Sequence, residues 1–204
     1  VQFSRSGFMH LAPETRNTIY GMVFDSPLPF FIVASDGVTP GFRLRERSTQ
    51  SQYEALQSLQ ALGVVNREMR RETRTFFYAV KHFLILPYGY EYLSIFVSWL
   101  AAIGSECRAV LRNVCFAGYM WYQGSAALTQ QFHDLLRSCT RLRILTVQIH
   151  VWHLCEGRVA DVDSFLNFEG PEPHDGSMPE VDISTWADTS VQLPGLRTFR
   201  LDIV

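Results

Sequence analysis

The chain has 204 residues, 47% of them hydrophobic and 19% charged, with a formal net charge of −2. These totals exclude a disordered chain and allow one domain, or a small module fused to a larger one, with a substantial buried core. The charge balance gives no global reason to expect nucleic acid or a membrane surface as partner.

In chain order, residues 8–24 open with a helix. Pro13 suits a first helical turn and Glu14 complements the positive end of the helix dipole. Thr15, Ile19, Met22 and Val23 trace one face of it. Two prolines within residues 25–29 end it. The apolar run 30–33 predicts a strand, the following SDGVTPG a turn, and the basic, polar residues 41–51 an exposed loop or hairpin arm. A short helix over 53–62 leads into the most strongly patterned stretch, residues 63–83.

At about 100° per residue, that stretch sorts into two faces. Val65, Met69, Thr73, Phe76 and Val80 fall on one, with Phe77 at its margin. Arg67, Arg70, Arg71 and Arg74 recur at i, i+3, i+4 and i+7 on the other. The stripe reads either as a solvated face eased by Glu68 or as a guanidinium surface offered to a partner. Arg67 and Arg70 are expected to be tied to local carboxylates or backbone carbonyls. Glu72 projects toward the apolar side, where a carboxylate needs a partner.

The motifs LAPETRNTIY and VVNREMRRETRTFFYAVKHF together resemble the opening of a group of fungal F-box-like proteins, whose pattern runs LPPEIRNxIY, a variable gap, then LNRQIRxEaxxxFYxxNxF. Leu11, Pro13, Glu14, Arg16, Asn17, Ile19 and Tyr20 match the first part, and Asn66, Arg67, Arg70, Glu72, Phe77, Tyr78 and Phe83 the second. Ala12, Thr15 and Lys81 depart from it. The resemblance covers roughly the first 85 residues. It implies a helical module over 1–87, with Leu11, Pro13, Ile19 and Tyr20 forming the surface that faces a Skp-type adaptor, or the module's core.

The second half alternates helices and strands. Leu93, Phe96, Val97, Leu100 and Ile103 share a face of a helix over 92–103, a run too short to span a bilayer. Leu128, Phe132, Leu135, Leu136 and Cys139 do the same over 125–139, and Val159, Val162 and Leu166 suggest a shorter helix. A signature recurs between them: Leu111-Arg112, Leu142-Arg143 and Leu196-Arg197 each precede one residue and then an apolar run. Each reads as a strand entered by the same corner, with 83–86 an irregular fourth. Strands separated by helices of this length run parallel. The architecture is therefore α/β: an N-terminal helical module, then a small parallel sheet backed by helices on one face, over 88–204. The irregular spacing resembles degenerate leucine-rich repeats; an ordinary α/β layer with coincidental Leu-Arg pairs is the alternative.

Nine of the 20 acidic residues lie between Glu156 and Asp188, inside an insertion over 156–195 whose residues 169–180 carry three prolines and two glycines, the pattern of a surface loop. Aromatic residues gather where strands end: Tyr88, Tyr90 and Tyr92, then Tyr119, Trp121 and Tyr122, then Trp152. They read equally as a binding rim along the C-terminal ends of the strands and as caps on the core.

No catalytic set is legible. His150, His153 and Cys155 supply zinc-type atoms, but a fourth ligand at metal spacing is missing, and His153 reads as a polar residue at a strand end. The neighbouring pairs His133-Asp134 and His174-Asp175 diverge and make poor relays. No glycine-rich phosphate loop occurs, and no base accompanies Cys107 or Cys115. The expectations are thus no enzyme, no cofactor and no metal. Four cysteines without close pairing, and no basic-apolar leader after Val1, suggest a reducing, cytoplasmic or nuclear compartment, although a trimmed N-terminus and continuation past Val204 both remain open. Lysine is reduced to Lys81 against 17 arginines, which reflects either genomic base composition or work beside ubiquitin-transfer machinery. The expected role is protein interaction. One reading is a substrate receptor of a cullin-type ubiquitin ligase, with a Skp-type adaptor and a client protein as partners. The other is a stand-alone recognition or effector-like protein that keeps the fold without adaptor binding. Partner contacts fall on Leu11, Pro13, Ile19 and Tyr20, on the stripe at Arg67, Arg71 and Arg74, and on the rim at Tyr119, Trp121, Tyr122 and Trp152.

Overall fold

The computed structural model describes residues 7–25, 29–34, 42–46, 54–85, 92–117, 126–149 and 184–203. A single 3₁₀ turn, Phe8–His10, precedes helix α1 (Pro13–Val23), and strands β1 (Phe30–Ala34) and β2 (Phe42–Glu46) follow. Helices α2 (Glu54–Val65) and α3 (Arg67–Val80) lead to β3 (His82–Ile85). The rest alternates: α4 (Tyr92–Val110), β4 (Asn113–Ala117), α5 (Ala126–Arg137), β5 (Ile144–Ile149), α6 (Ser184–Val191) and β6 (Thr198–Ile203).

The strands form one sheet in the order β2-β1-β3-β4-β5-β6. Only β2 is antiparallel to its neighbour, and the other five run parallel. The parallel strands expected after the corners Leu111-Arg112, Leu142-Arg143 and Leu196-Arg197 are present, with 82–85 as another member. The basic segment after the SDGVTPG turn supplies the second arm of a hairpin. Strands β1 and β2 of the N-terminal part lie in the same sheet as the strands of the second half.

Register explains why the helices share a face. Phe83 pairs with Val114, Val114 with Leu145 and Leu145 with Phe199, and the residues two further along are Ile85, Phe116, Val147 and Leu201. With a side-chain period of two, all eight point the same way. Phe83 meets Trp99 of α4, Phe116 meets Phe96 of α4 and Phe132 of α5, and Phe199 meets Trp186 of α6. The opposite row, Leu84, Cys115, Thr146 and Arg200, is half-buried to exposed.

The apolar helix of the second half runs on past Ile103 to Val110, and Gly104 breaks its geometry at φ +80, a left-handed value that glycine adopts without strain. Leu93–Val110 has the length and composition of a membrane span. Ile95, Phe96, Val97, Trp99, Leu100 and Ile103 are nevertheless buried in the core beside the sheet.

The three Leu-Arg corners are one structure built three times. The Leu111, Leu142 and Leu196 amides each donate to the carbonyl three residues back, on Arg108, Cys139 and Leu193. The carbonyl of Arg112 then accepts from the amides of Arg143 and Ile144 at 2.8 and 3.0 Å, and that of Arg143 from Arg197 and Thr198 at 2.9 and 3.0 Å. Leu111 and Leu142 are fully buried, and Leu196 packs on the core edge. The leucine anchors each corner; the arginine remains outside. Gly195 closes the last of them, since a Cβ there would sit 2.8 Å from the Thr140 carbonyl oxygen.

His133 of α5 is buried against α6, its Nδ1 2.9 Å from Thr189 Oγ1 and its ring edge-on to Trp186. Burial pushes its pKa down to about 4; Arg137 adds to the shift and Asp134 opposes it. The imidazole is therefore neutral in the fold but takes a proton in the unfolded chain below pH 6.5. Its contribution to stability is intact above pH 6.5 and is lost as pH falls toward 4. Melting temperatures between pH 7.5 and 4.5 should fall in the wild type and fall less steeply in His133→Phe. Identical slopes would remove His133 as the titrating group.

Candidate functional site

The two motif-bearing helices are joined by one polar cluster. Arg16 of α1 donates from Nε and Nη2 to the Glu72 carboxylate of α3 at 2.7 to 3.1 Å, and the Tyr20 hydroxyl donates to Glu72 Oε2 at 3.0 Å. Arg16 Nη1 also reaches the carbonyls of Met9 and Leu11, fastening the turn before α1. The carboxylate that looked misplaced on the apolar side of α3 thus has its partners on another helix. Arg16 holds the Glu72 carboxyl below its ordinary range, with Tyr20 helping and desolvation opposing. Burial and the bond to Glu72 push the Tyr20 phenol up. Asn66 caps α3, its Oδ1 accepting from the Met69 amide at 2.7 Å.

This staple fixes the rotation of α1. Arg16, Tyr20 and Phe24 recur every four residues along the side turned inward; Tyr20 and Phe24 are each 1% exposed. The stripe traced by Thr15, Ile19, Met22 and Val23 consequently faces out. Met22 is 72% exposed, and Leu11, Pro13 and Val23 are exposed beside it, while Ile19 is half-buried. Of the two places open to Tyr20, partner surface or module core, it takes the core.

Helix α3 is turned from the orientation its periodicity predicts. Met69, Thr73, Phe77 and Tyr78 are buried, Phe76 is half-buried, and Val80, expected on the core face, is exposed; Val65, expected on the same face, ends α2 instead, because the helical run breaks at Asn66, and is exposed there. The correction has a packing cause. Phe77 sits among Phe24, Phe30, Tyr78 and Phe83 and pulls its side of the helix onto the sheet, while Tyr78 packs on Phe83 toward α4.

The arginine stripe lines a cleft of about 340 Å³ between α3 and the kink of α4, with Gly104 and Cys107 on the far wall. Arg71 pairs with Glu106 at 2.9 Å, an exposed contact of small energetic worth. Arg74 donates to the Ile103 carbonyl and Arg70 to that of Gly63. Arg67 has no side-chain bond among the described residues. The expectation for Arg70 is met through a backbone carbonyl; for Arg67 it is not. The ion pair with a half-buried carboxylate is made by Arg16 instead.

Tyr119, Trp121, Tyr122 and Trp152, the aromatic rim, lie outside the described residues, as do Tyr88, Tyr90, His150, His153, Cys155, His174, the helix expected over 159–166 and the acidic stretch 169–180. Burial raises the thiol pKa values of Cys107, Cys115 (to about 11) and Cys139 (to about 12), which keeps these three protonated at neutral pH. Among the described residues no group of three or more His, Cys, Asp or Glu side chains is placed to hold a metal ion.

Fold and site together define a mixed α/β protein: a five-strand parallel sheet with an antiparallel edge, helices packed on one face, an outward apolar helix face and an arginine-lined cleft between α3 and α4. No protein-family model, curated protein or solved structure matches the chain.

Proposed function

We propose that the chain is a non-enzymatic interaction protein in which an F-box-like opening presents α1 to a Skp-type adaptor while a leucine-rich-repeat-like platform takes a client for a cullin-type ubiquitin ligase. The observation that carries the reading is the outward apolar face of α1, with Met22 and Val23 exposed and Ile19 half-exposed, together with Leu11, exposed just before the helix. Exposed apolar residues grouped on one element mark interaction sites. The Arg16–Glu72–Tyr20 staple supports it, because it is built wholly from residues on which the F-box-like resemblance rests. The recurring Leu-Arg corner supports the repeat-like platform.

The rival reading, a stand-alone recognition or effector-like protein, is favoured by one specific feature. Thr15 is exposed on this same face where the resembling family carries an apolar residue. Co-purification with a Skp-type adaptor separates the two. A stoichiometric complex is expected, weakened at least tenfold by Leu11→Asp combined with Met22→Asp; both side chains are exposed, so the fold should persist. Absence of a complex at micromolar concentrations of both proteins would leave the stand-alone reading.

A further inference from the structure

The arginines of this structure divide sharply by whether they have a partner. Arg16, Arg71, Arg137 and Arg200 each meet a carboxylate, while Arg70, Arg74 and Arg108 bond to backbone carbonyls. Among the described side chains, Arg67, Arg112, Arg141, Arg143 and Arg197 have no such bond. Four of those five line a single cleft of about 410 Å³ at the N-terminal edge of the sheet, with Thr140 and Gly195. Among the described residues, no carboxylate and no aromatic ring lines it.

The corners described above set the geometry. Arg112, Arg143 and Arg197 occupy the same position before β4, β5 and β6, because the carbonyl of each of the first two accepts from the amide of the next. Neighbouring strands lie about 4.8 Å apart, so the three Cα positions span roughly 10 Å. Gly195 lines the cleft, and its lack of a Cβ lets it lie close to the Thr140 and Leu142 carbonyls. Four guanidinium groups gathered there repel one another, and no described residue of the lining offsets their charge.

From this we infer that the cleft binds a phosphate group carried on a side chain of a protein partner. A phosphate monoester brings close to two negative charges and three acceptor oxygens, enough to engage several guanidinium forks at once, whereas a carboxylate offers two oxygens and one charge. The length of the row matches one or two such groups. Single-stranded nucleic acid fits less well: its binding sites combine a longer basic track with aromatic rings for stacking, and none of the described residues that line the cleft carries a ring. A net charge of −2 also gives no long-range attraction to a polyanion. The inference does not depend on adaptor docking, which concerns α1, a different element of the fold.

The test uses the 204-residue chain and fluorescence anisotropy with a labelled peptide pool, degenerate around a fixed phosphoserine, and its unphosphorylated counterpart. The phosphorylated pool should bind at least tenfold tighter at moderate salt. Arg143→Glu combined with Arg197→Glu should abolish the difference while the thermal melt stays in place, since both side chains are exposed. Arg112→Gln should weaken binding several-fold and serves as the readout if the double variant fails to fold. Equal binding of the two pools, or a difference that survives the substitutions, overturns the proposal. Tighter binding of a uridine dodecamer than of the phosphopeptide pool would overturn it in favour of RNA. Full displacement by micromolar inorganic phosphate would overturn it in favour of a free phosphate ligand.

Discussion

Phe77→Ala should lower the melting temperature by roughly 10–15 °C. Phe77 is fully buried, and its ring centroid lies 5.6 Å from that of Phe24, 4.9 Å from Phe30 and 6.0 Å from Phe83. Truncation removes contacts to α1, β1 and β3 at once and leaves a cavity that rigid neighbours fill poorly. Phe→Ala changes of this kind cost about 3–5 kcal/mol, and each kcal/mol moves the midpoint of a chain of this size by about 2–4 °C. The variant should still unfold in one transition, because the ring ties the helices of residues 13–80 to the sheet. Calorimetry decides the matter: a shift under about 3 °C, or a new separate transition for the N-terminal helices, would refute the shared core.

The second large effect belongs to Glu72. In Glu72→Ala the Tyr20 hydroxyl, on a residue only 1% exposed, loses its acceptor, and Arg16 loses the carboxylate that fixes it. Hydrogen bonds to a charged group are worth about 1.5–3 kcal/mol, and a group left unsatisfied out of water costs about as much. The expected fall in melting temperature is roughly 5–10 °C, larger than for Arg71→Ala, whose partner Glu106 is exposed.

The pH dependence of that cluster has a definite sign. The folded-state pKa of Glu72 lies below the ordinary value of 4.5, so its stabilisation is fully present above that value and disappears as pH falls through the lowered one. Melting curves between pH 5.5 and 3 should show this loss in the wild type and much less of it in Glu72→Gln. The His133 window lies higher, between 6.5 and about 4, which lets the two variants be told apart. A Glu72→Gln slope parallel to the wild type below pH 4.5 would contradict the cluster. Because α1 depends on this staple for its rotation, Glu72→Ala should also weaken any complex that uses Leu11 and Met22, although neither residue touches Glu72 in the bonds described.

Local patterns in the sequence determined a good deal on their own. The Leu-Arg repeats and their helix-length separations require parallel strands with crossover helices, because parallel neighbours cannot be joined by a tight turn. The strand-forming runs at 113–117 and 144–149 are equally local, whereas the cap at Asn66 that splits the stretch 63–83 was found only in the structure. Helix rotation was not legible in the same way. The stripe Thr15, Ile19, Met22 and Val23 looks like a core face, yet Tyr20 and Phe24 take that place, since an aromatic ring with a bonded hydroxyl buries more surface than the smaller apolar side chains beside it. On α3 the same competition let Phe77 and Tyr78 win over Val80. The partner of Glu72 lay 56 residues away on another helix, a distance at which no periodicity carries information. The third dimension also decided what the repeated arginines mean. In the sequence each follows a leucine at a strand entry; only the register of β4, β5 and β6 brings Arg112, Arg143 and Arg197 into one row with no opposing charge among the described residues that line their cleft.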